Sequence, residues 1–352
     1  MIDEDVWQGR RVLVTGHTGF KGAWLAAVLH RLGARVFGYA LAPEHAGGAF
    51  DQLDPSTFAM SEFADIRASD RLGQFIETTR PEIVFHLAAQ SLVRRSFTEP
   101  VATFDVNVLG TARLLDEVSP CPSVRTVVVV TSDKVYANDG VGRPFREGDP
   151  LGGGDPYSAS KAAAELVVRS WRQSFSPREG FTAVTARAGN VIGGGDLAAD
   201  RLVPDFFRSL EAGAPLEVRH PGSVRPWQFV LEPIFGYLAL AAAAWRQPDS
   251  VPDAVNFGPD LDGCWTVEEV VEALIERCGT GTWVHRSSSE PEASVLRLDA
   301  ALARERLGWT SLLSVSAALE WTADWWAVRS DLNAARRIML AQIDRYREMI
   351  PS

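Results

Sequence analysis

Lysine is nearly absent from this 352-residue chain: of its 35 basic residues only Lys21, Lys134 and Lys161 are lysine. A guanidinium ion cannot be deprotonated in a protein whereas an ammonium ion can, so a lysine kept in such a chain points to a position where arginine chemistry fails; the competing reading is coding bias with three chance survivors, and the local contexts argue against chance for Lys134 and Lys161. Cysteine is scarce too. Cys121, Cys264 and Cys278 are odd in number, far apart and without C-x-x-C spacing, which argues against a disulfide framework or a zinc site and suits a reducing compartment. Positive charge is not in excess: the net charge of −10 and a pI near 5.2 speak against nucleic-acid binding, which relies on clustered basic residues. An anionic ligand must then be held by a local arginine cluster. Long apolar runs are missing as well. The longest, from Tyr237 to Trp245, falls far short of the ~20 residues that span a bilayer, and the first residues are acidic where a secretory signal would be basic. The expectation is a cytoplasmic protein with no membrane partner.

What is present is a chain 46% hydrophobic, long enough for two lobes. Its first half alternates short apolar strands with helical segments: Arg11-Val-Leu-Val14, a helix over 22–32, Arg35-Val-Phe-Gly-Tyr39, Ile83-Val-Phe-His86 and Val127-Val-Val-Val130. A helix from about Tyr157 to Phe175 leads to Thr182-Ala-Val-Thr-Ala186. Continuous apolar strands separated by helices predict an α/β fold, a doubly wound parallel Rossmann sheet covered on both faces. After Gly189 the texture becomes Gly- and Pro-punctuated. This predicts a nucleotide-binding domain over 1–188 and a smaller C-terminal substrate-binding lobe over 189–352, with segments near 230–257 returning to the main sheet.

Thr15-Gly16-His-Thr18-Gly19-Phe20-Lys21-Gly22 follows the first strand and opens the first helix. Glycines so placed let the backbone approach a pyrophosphate that rests on the helix N-terminus. The acid expected after the second strand is absent, since Tyr39-Ala-Leu-Ala-Pro43 stands there, and no arginine follows to hold an extra phosphate. The motif alone leaves NAD and NADP open. Asp65 and Ile66 suit an adenine contact, and Asp65 suits a helix cap equally.

Tyr157 and Lys161, four residues apart, share one helix face. A phenol beside an ammonium is stabilised as phenolate and accepts a hydroxyl proton, which with a dinucleotide predicts hydride transfer from a secondary alcohol. Asp133 and Lys134 close the fifth strand and add an acid and a base. That pair suggests elimination: once a sugar C4 is a ketone, a neutral amine at Lys134 removes the C5 proton, and an acid protonates the departing C6 hydroxyl. The competing reading of the pair is a surface ion pair of little energetic weight.

With these motifs, and with Phe85-His-Leu-Ala-Ala-Gln90, Leu151-Gly-Gly-Gly-Asp-Pro-Tyr-Ser158, Arg187-Ala-Gly-Asn-Val-Ile-Gly-Gly-Gly-Asp196 and Arg225-Pro-Trp-Gln228, the chain resembles the extended short-chain dehydrogenase/reductase family. Within that family it is similar to the CDP-glucose 4,6-dehydratase branch, whose lysine after the aspartate is replaced by glutamate in the dTDP-glucose and GDP-mannose branches. The resemblance implies bound NAD, with Leu87, Ala88 and Ala89 joining the glycine loop, Asp65, Ile66, Tyr157 and Lys161 around it. It implies CDP-glucose as substrate, Ser132 on the C4 oxygen, Asp133 as acid, Lys134 as C5 base and Tyr157 as C4 base. Gln90, Asn190, Arg201, Arg219 and Arg225 would face the sugar nucleotide. It further implies a homodimer, or a dimer of dimers, through helices over about 101–118 and 157–175.

Several positions depart from that branch: Leu197 and Gly140 to Gly142 stand near usual tryptophans, Val135 for cysteine, Ser91 for proline and Phe229 for histidine. Two other functions use parts of the same pattern. A nucleotide-sugar 4-epimerase needs Tyr157 and Lys161 but not the Asp133–Lys134 pair, and a non-catalytic NAD sensor needs only the glycine loop. The sequence offers no account of why residue 21 is lysine.

Overall fold

The computed structural model describes residues 4–175, 180–287 and 293–351, so residues 1–3 of the acidic start lie outside it. Strands β1 (Arg11–Thr15), β2 (Arg35–Ala40), β3 (Phe58–Phe63), β4 (Ile83–His86), β5 (Thr126–Val130) and β6 (Thr182–Ala188) enter one sheet. After β7 (Asn190–Ile192), β8 (Leu216–Val218) and β9 (Val224–Phe229), β10 (Ala254–Phe257) returns to it as a seventh strand. The order is β10-β6-β5-β4-β1-β2-β3, and every pairing is parallel. Strands β4 and β5 are buried along their whole length. Both faces must therefore be covered, and each buried Val or Phe contributes ~1.5–3 kcal/mol.

Register brings the functional ends together. Thr15 pairs with Tyr39 on one side and His86 on the other, so the carboxyl ends of β1, β2 and β4 are level. The order reverses between β1 and β4, and a crevice opens where the two following chains part. A smaller three-stranded sheet, β11 (Cys264–Thr266), β9 and β7, begins one residue after β6, and β12 (Trp283–His285) pairs with β8.

The helix expected over 157–175 runs Pro156–Ser174. The helix expected over 101–118 is not uniform: helical turns Pro100–Phe104 and Gly110–Val118 flank a π-helical turn, Asp105–Leu109. The wide turn aims Asn107 inward, where it accepts from the Gln90 amide at 2.8 Å and donates to the Gln90 carbonyl at 3.0 Å and Ser160 Oγ at 2.9 Å. A helix-like composition carries no sign of that extra residue.

The C-terminal helices Val315–Trp326 and Leu332–Met349 close the molecule. Trp24 Nε1 donates to the Gly194 carbonyl at 2.8 Å, and a Cβ on Gly194 would lie 2.2 Å from the Trp325 ring. The glycine run after β7 is thus a packing passage. Among the described residues no helix is long and apolar enough to cross a membrane.

Candidate active site

A cleft of about 1360 Å³ runs along the carboxyl edge of the sheet and under the smaller sheets. Its volume exceeds the ~300–1,000 Å³ of a single-ligand pocket and suits two ligands laid end to end. Every residue singled out from sequence for catalysis or binding lines it, and so do all three lysines.

At one end lies the glycine loop. Gly16 has φ +76°, and a Cβ there would stand 2.7 Å from the Ala88 amide; a Cβ on Gly22 would stand 2.1 Å from the Gly16 carbonyl. Both positions exclude any side chain, which leaves the start of helix Phe20–Arg31 open toward the cleft. These residues fit a dinucleotide. His86, the last residue of strand β4, is buried between Thr15 Oγ1 at 2.7 Å and Thr111 Oγ1 at 3.2 Å. Burial, with the nearby Lys161 charge, pushes it down to about 3, so the ring is a neutral brace. Asp65 does not cap the following helix, whose N-cap is Ala68; its carboxylate receives the Arg67 amide at 2.9 Å and the Arg67 guanidinium at 2.7–3.0 Å.

The centre is a single turn after β5. Ser132 has extended backbone, and its Oγ accepts from the Lys134 amide at 3.2 Å and donates to Asp133 Oδ1 at 3.0 Å. Asp133 is only 2% exposed, and its Oδ2 finds no hydrogen-bond partner among the described residues. Burial raises its pKa against the opposing pull of Lys134, the Ser132 hydrogen bond, Arg225 and Lys21. The helix carrying Tyr157 and Lys161 starts beside it, capped by Asp155, whose carboxylate accepts from the Ser158 amide at 2.9 Å, with Pro156 at its first position.

Burial pushes the Tyr157 phenol up to about 12, partly offset by its hydrogen bond to Ser132, while Lys161 donates to the Val130 carbonyl at 3.2 Å. Lys161 is itself lowered to about 8, chiefly by burial, then by Lys21.

Lys21 belongs to this cluster. Burial and Arg201 lower it to about 8, while Asp133 and Asp196 act to raise it, so its side chain lies among groups of the catalytic end. The sequence held one signal for this, the rarity of lysine itself.

The arginines are met by carboxylates that sequence reasoning did not single out. Arg201 donates to Asp196 at 2.8 Å and to the departing residue Ser91 at 3.2 Å. Arg94 and Arg219 both donate to Asp200 Oδ1 at 2.9 Å, and Asp200 sits in the left-handed region at φ +59°. Arg225 is buried on β9 and donates to the Val224 carbonyl. Asn190 lines the cleft at the start of β7. Gln90 lines it too, but its side chain is spent within the loop: it donates to the Leu92 carbonyl and Thr103 Oγ1, both at 3.0 Å, and accepts the Leu92 amide at 2.6 Å. Of the other departing residues, Val135 is fully buried, and Phe229 packs edge-on against Trp24 and Trp321.

The model of the NAD dependent epimerase/dehydratase family matches residues 12–258. The CDP-glucose 4,6-dehydratase of Salmonella typhimurium is 43% identical over 316 residues, 88% of each chain. Among solved structures, DesIV, a dTDP-glucose 4,6-dehydratase from Streptomyces venezuelae with NAD and TYD bound, aligns with a TM-score of 0.78 at 23% identity, over 93% of this chain and 99% of its own. A UDP-glucose-4-epimerase from Stenotrophomonas maltophila with NAD bound aligns with a TM-score of 0.81 at 22% identity, over 91% and 99%. The last two similarities speak to the fold, which dehydratases and epimerases share.

Proposed function

Because the chain belongs to the NAD dependent epimerase/dehydratase family, we propose that it is an NAD-dependent nucleotide-sugar 4,6-dehydratase, a hydro-lyase that converts CDP-glucose to CDP-4-keto-6-deoxyglucose. The observation that carries this reading is the Ser132–Lys134 turn: a buried carboxyl of raised pKa adjoins an amine, both in the cleft with Tyr157. The 43% identity to a CDP-glucose enzyme supports the choice of nucleotide.

Residues of the glycine loop, Leu87 to Ala89, Asp65 and Ile66 would hold the dinucleotide, and residues 1–188 would form most of its domain. When bound, NAD supplies a positive charge near the phenol and a hydride acceptor at C4 that gives the hydride back at C6. Tyr157 takes the C4 hydroxyl proton, and Ser132 holds the C4 oxygen. Lys134 removes the C5 proton made acidic by the C4 ketone, Asp133 gives its proton to the C6 hydroxyl, which leaves as water, and Lys134 returns the proton to C5 when C6 is reduced; the proton held by Tyr157 makes up for the one lost from Asp133. The sum is loss of one water with no net redox change. Arg201, Arg219, Arg225 and Asn190 would hold the sugar nucleotide, the arginines exchanging Asp196 and Asp200 for phosphate oxygens.

The test is incubation of the enzyme and NAD with CDP-glucose, dTDP-glucose, UDP-glucose and GDP-mannose in separate reactions. Product lighter by one water from CDP-glucose alone, with no accumulation of NADH, is the expected result. Unchanged mass with an inverted C4 favours the 4-epimerase alternative, for which the shared fold speaks, and would sink the dehydratase reading.

The partner on the protein side is a second copy. Phe97 on the short helix Val93–Thr98, Val101 and Phe104 on Pro100–Phe104, Leu109 at the end of the π turn and Leu166 on helix Pro156–Ser174 are exposed apolar residues. Their removal from water would drive a homodimer through those helices. The three cysteines remain free, which suits the cytoplasm.

A further inference from the structure

Directly behind the Ser132–Lys134 turn lies a carboxylate–guanidinium pair whose role the reaction itself does not require. Glu165 and Arg187 are about 3–4% exposed and meet in a two-pronged contact, Nε to Oε1 at 2.9 Å and Nη2 to Oε2 at 2.7 Å. A buried ion pair seldom stabilises a fold more than well-packed apolar residues of the same size would. Its presence calls for another explanation, and its remaining hydrogen bonds supply one.

The pair holds the turn from both sides. Thr131, the residue before it, donates its hydroxyl to Glu165 Oε1 at 2.5 Å, and Thr185 donates to Oε2 at 2.7 Å. Tyr136, two residues past Lys134, accepts from Arg187 Nη1 at 2.8 Å and passes its own proton to Asn256 Oδ1 at 2.6 Å. The Tyr136 ring stacks on Phe145 at 4.8 Å and 4°. Glu165 is moreover one helical turn beyond Lys161, as Lys161 is one turn beyond Tyr157. The helix that carries the two groups assigned to oxidation at C4 thus also carries Glu165, one half of the brace on the turn that bears the two groups assigned to elimination at C5–C6. An acid and a base on adjacent residues serve different carbons only if the turn between them cannot rotate.

We propose that the Glu165–Arg187 pair, acting through the Thr131 and Tyr136 hydroxyls, is the positioning device for the acid–base turn, and that it governs the elimination step rather than the oxidation step. This rests on the assignment of Asp133 and Lys134 given above. Neither Glu165 nor Arg187 touches substrate in this role; both act through the turn. Removing either hydroxyl frees one end of the turn while leaving Tyr157, Lys161 and the glycine loop in place.

The experiment uses Thr131→Val and Tyr136→Phe, near-isosteric changes that delete one hydroxyl each, alongside the wild-type enzyme. Rapid mixing with CDP-glucose follows enzyme-bound NADH at 340 nm, and mass follows loss of water. The expected result is a fall in dehydration of roughly tenfold in each variant, a clearly smaller fall in the rate of NADH appearance, since of the oxidation groups only Ser132 sits on the turn, and a several-fold larger steady-state fraction of reduced cofactor. In protein without substrate, hydrogen–deuterium exchange of the 131–137 segment should rise while β4 and β5 stay protected. If both half-reactions fall in proportion, or neither changes, the pair is structural only and the proposal is overturned. If the wild-type enzyme dehydrates no donor, the acid–base assignment itself falls and the proposal with it. Wild-type dehydration with unaltered partition in both variants defeats the proposal alone.

Discussion

Lys134 is the residue on which the proposed chemistry turns, because the elimination needs a base at C5 distinct from the acid. Ser132 serves the Lys134 amide and Asp133, and Asp133 is a buried carboxyl of raised pKa suited to giving a proton. Lys134→Met should lower dehydration by at least ~10²-fold, the usual scale of general-base catalysis, while NAD affinity measured by equilibrium titration changes little. Turnover left intact would remove Lys134 from its role. At this scale the sequence was informative about groups that act on substrate and silent about the groups that hold them. Asp133, Tyr157 and Lys161 sit in short motifs whose spacing is meaningful. Glu165 and Arg187 are 22 residues apart, and Thr131 is 34 from Glu165; no local pattern announces such a pairing. The burial that raises Tyr157 was hidden for a related reason, since burial depends on the whole fold and spacing reports only proximity.

Among the elements, those with a strong period were legible and those made by an exception were not. Strands β4 and β5 are near-continuous apolar runs, and the order of helix and strand leaves a doubly wound sheet as the natural arrangement. The π turn at Asp105–Leu109 was not foreseeable, because it is produced by Asn107 finding partners on Gln90 and Ser160. On the outer side of these helices Val101 is 81% and Leu166 46% exposed. In the proposed homodimer a second copy of the same surface would cover them. A protein carrying both Val101→Asp and Leu166→Asp should scatter light as the monomer at micromolar concentration, whereas the unaltered chain should show twice that mass. A wild-type monomer would contradict the interface.

The molecule as a whole carries a pH sensitivity remote from the cleft. Glu232 is buried on the helix Leu231–Arg246, accepting the Leu312 amide at 3.0–3.1 Å and the Leu313 amide at 2.7 Å, and burial pushes it from 4.5 to about 7. The folded chain thus keeps a proton that the unfolded chain releases, so stability falls as pH rises from about 4.5 to 7 and is flat above. Glu232→Gln keeps an acceptor for the amides and removes the titration. Its thermal midpoint should match the wild type near pH 5 and exceed it by a few degrees at pH 8; equal midpoints at both values would show that Glu232 ionises without cost. The same global view gives the scarcity of lysine a practical meaning. Since Lys21, Lys134 and Lys161 all line the one cleft, the outer surface offers no side-chain amine to acylating dyes, cross-linkers, aldehyde-coated supports or lysine-modifying enzymes. Chemistry that decorates the exterior of most proteins would here be reporting, site by site, on whether the cleft is filled.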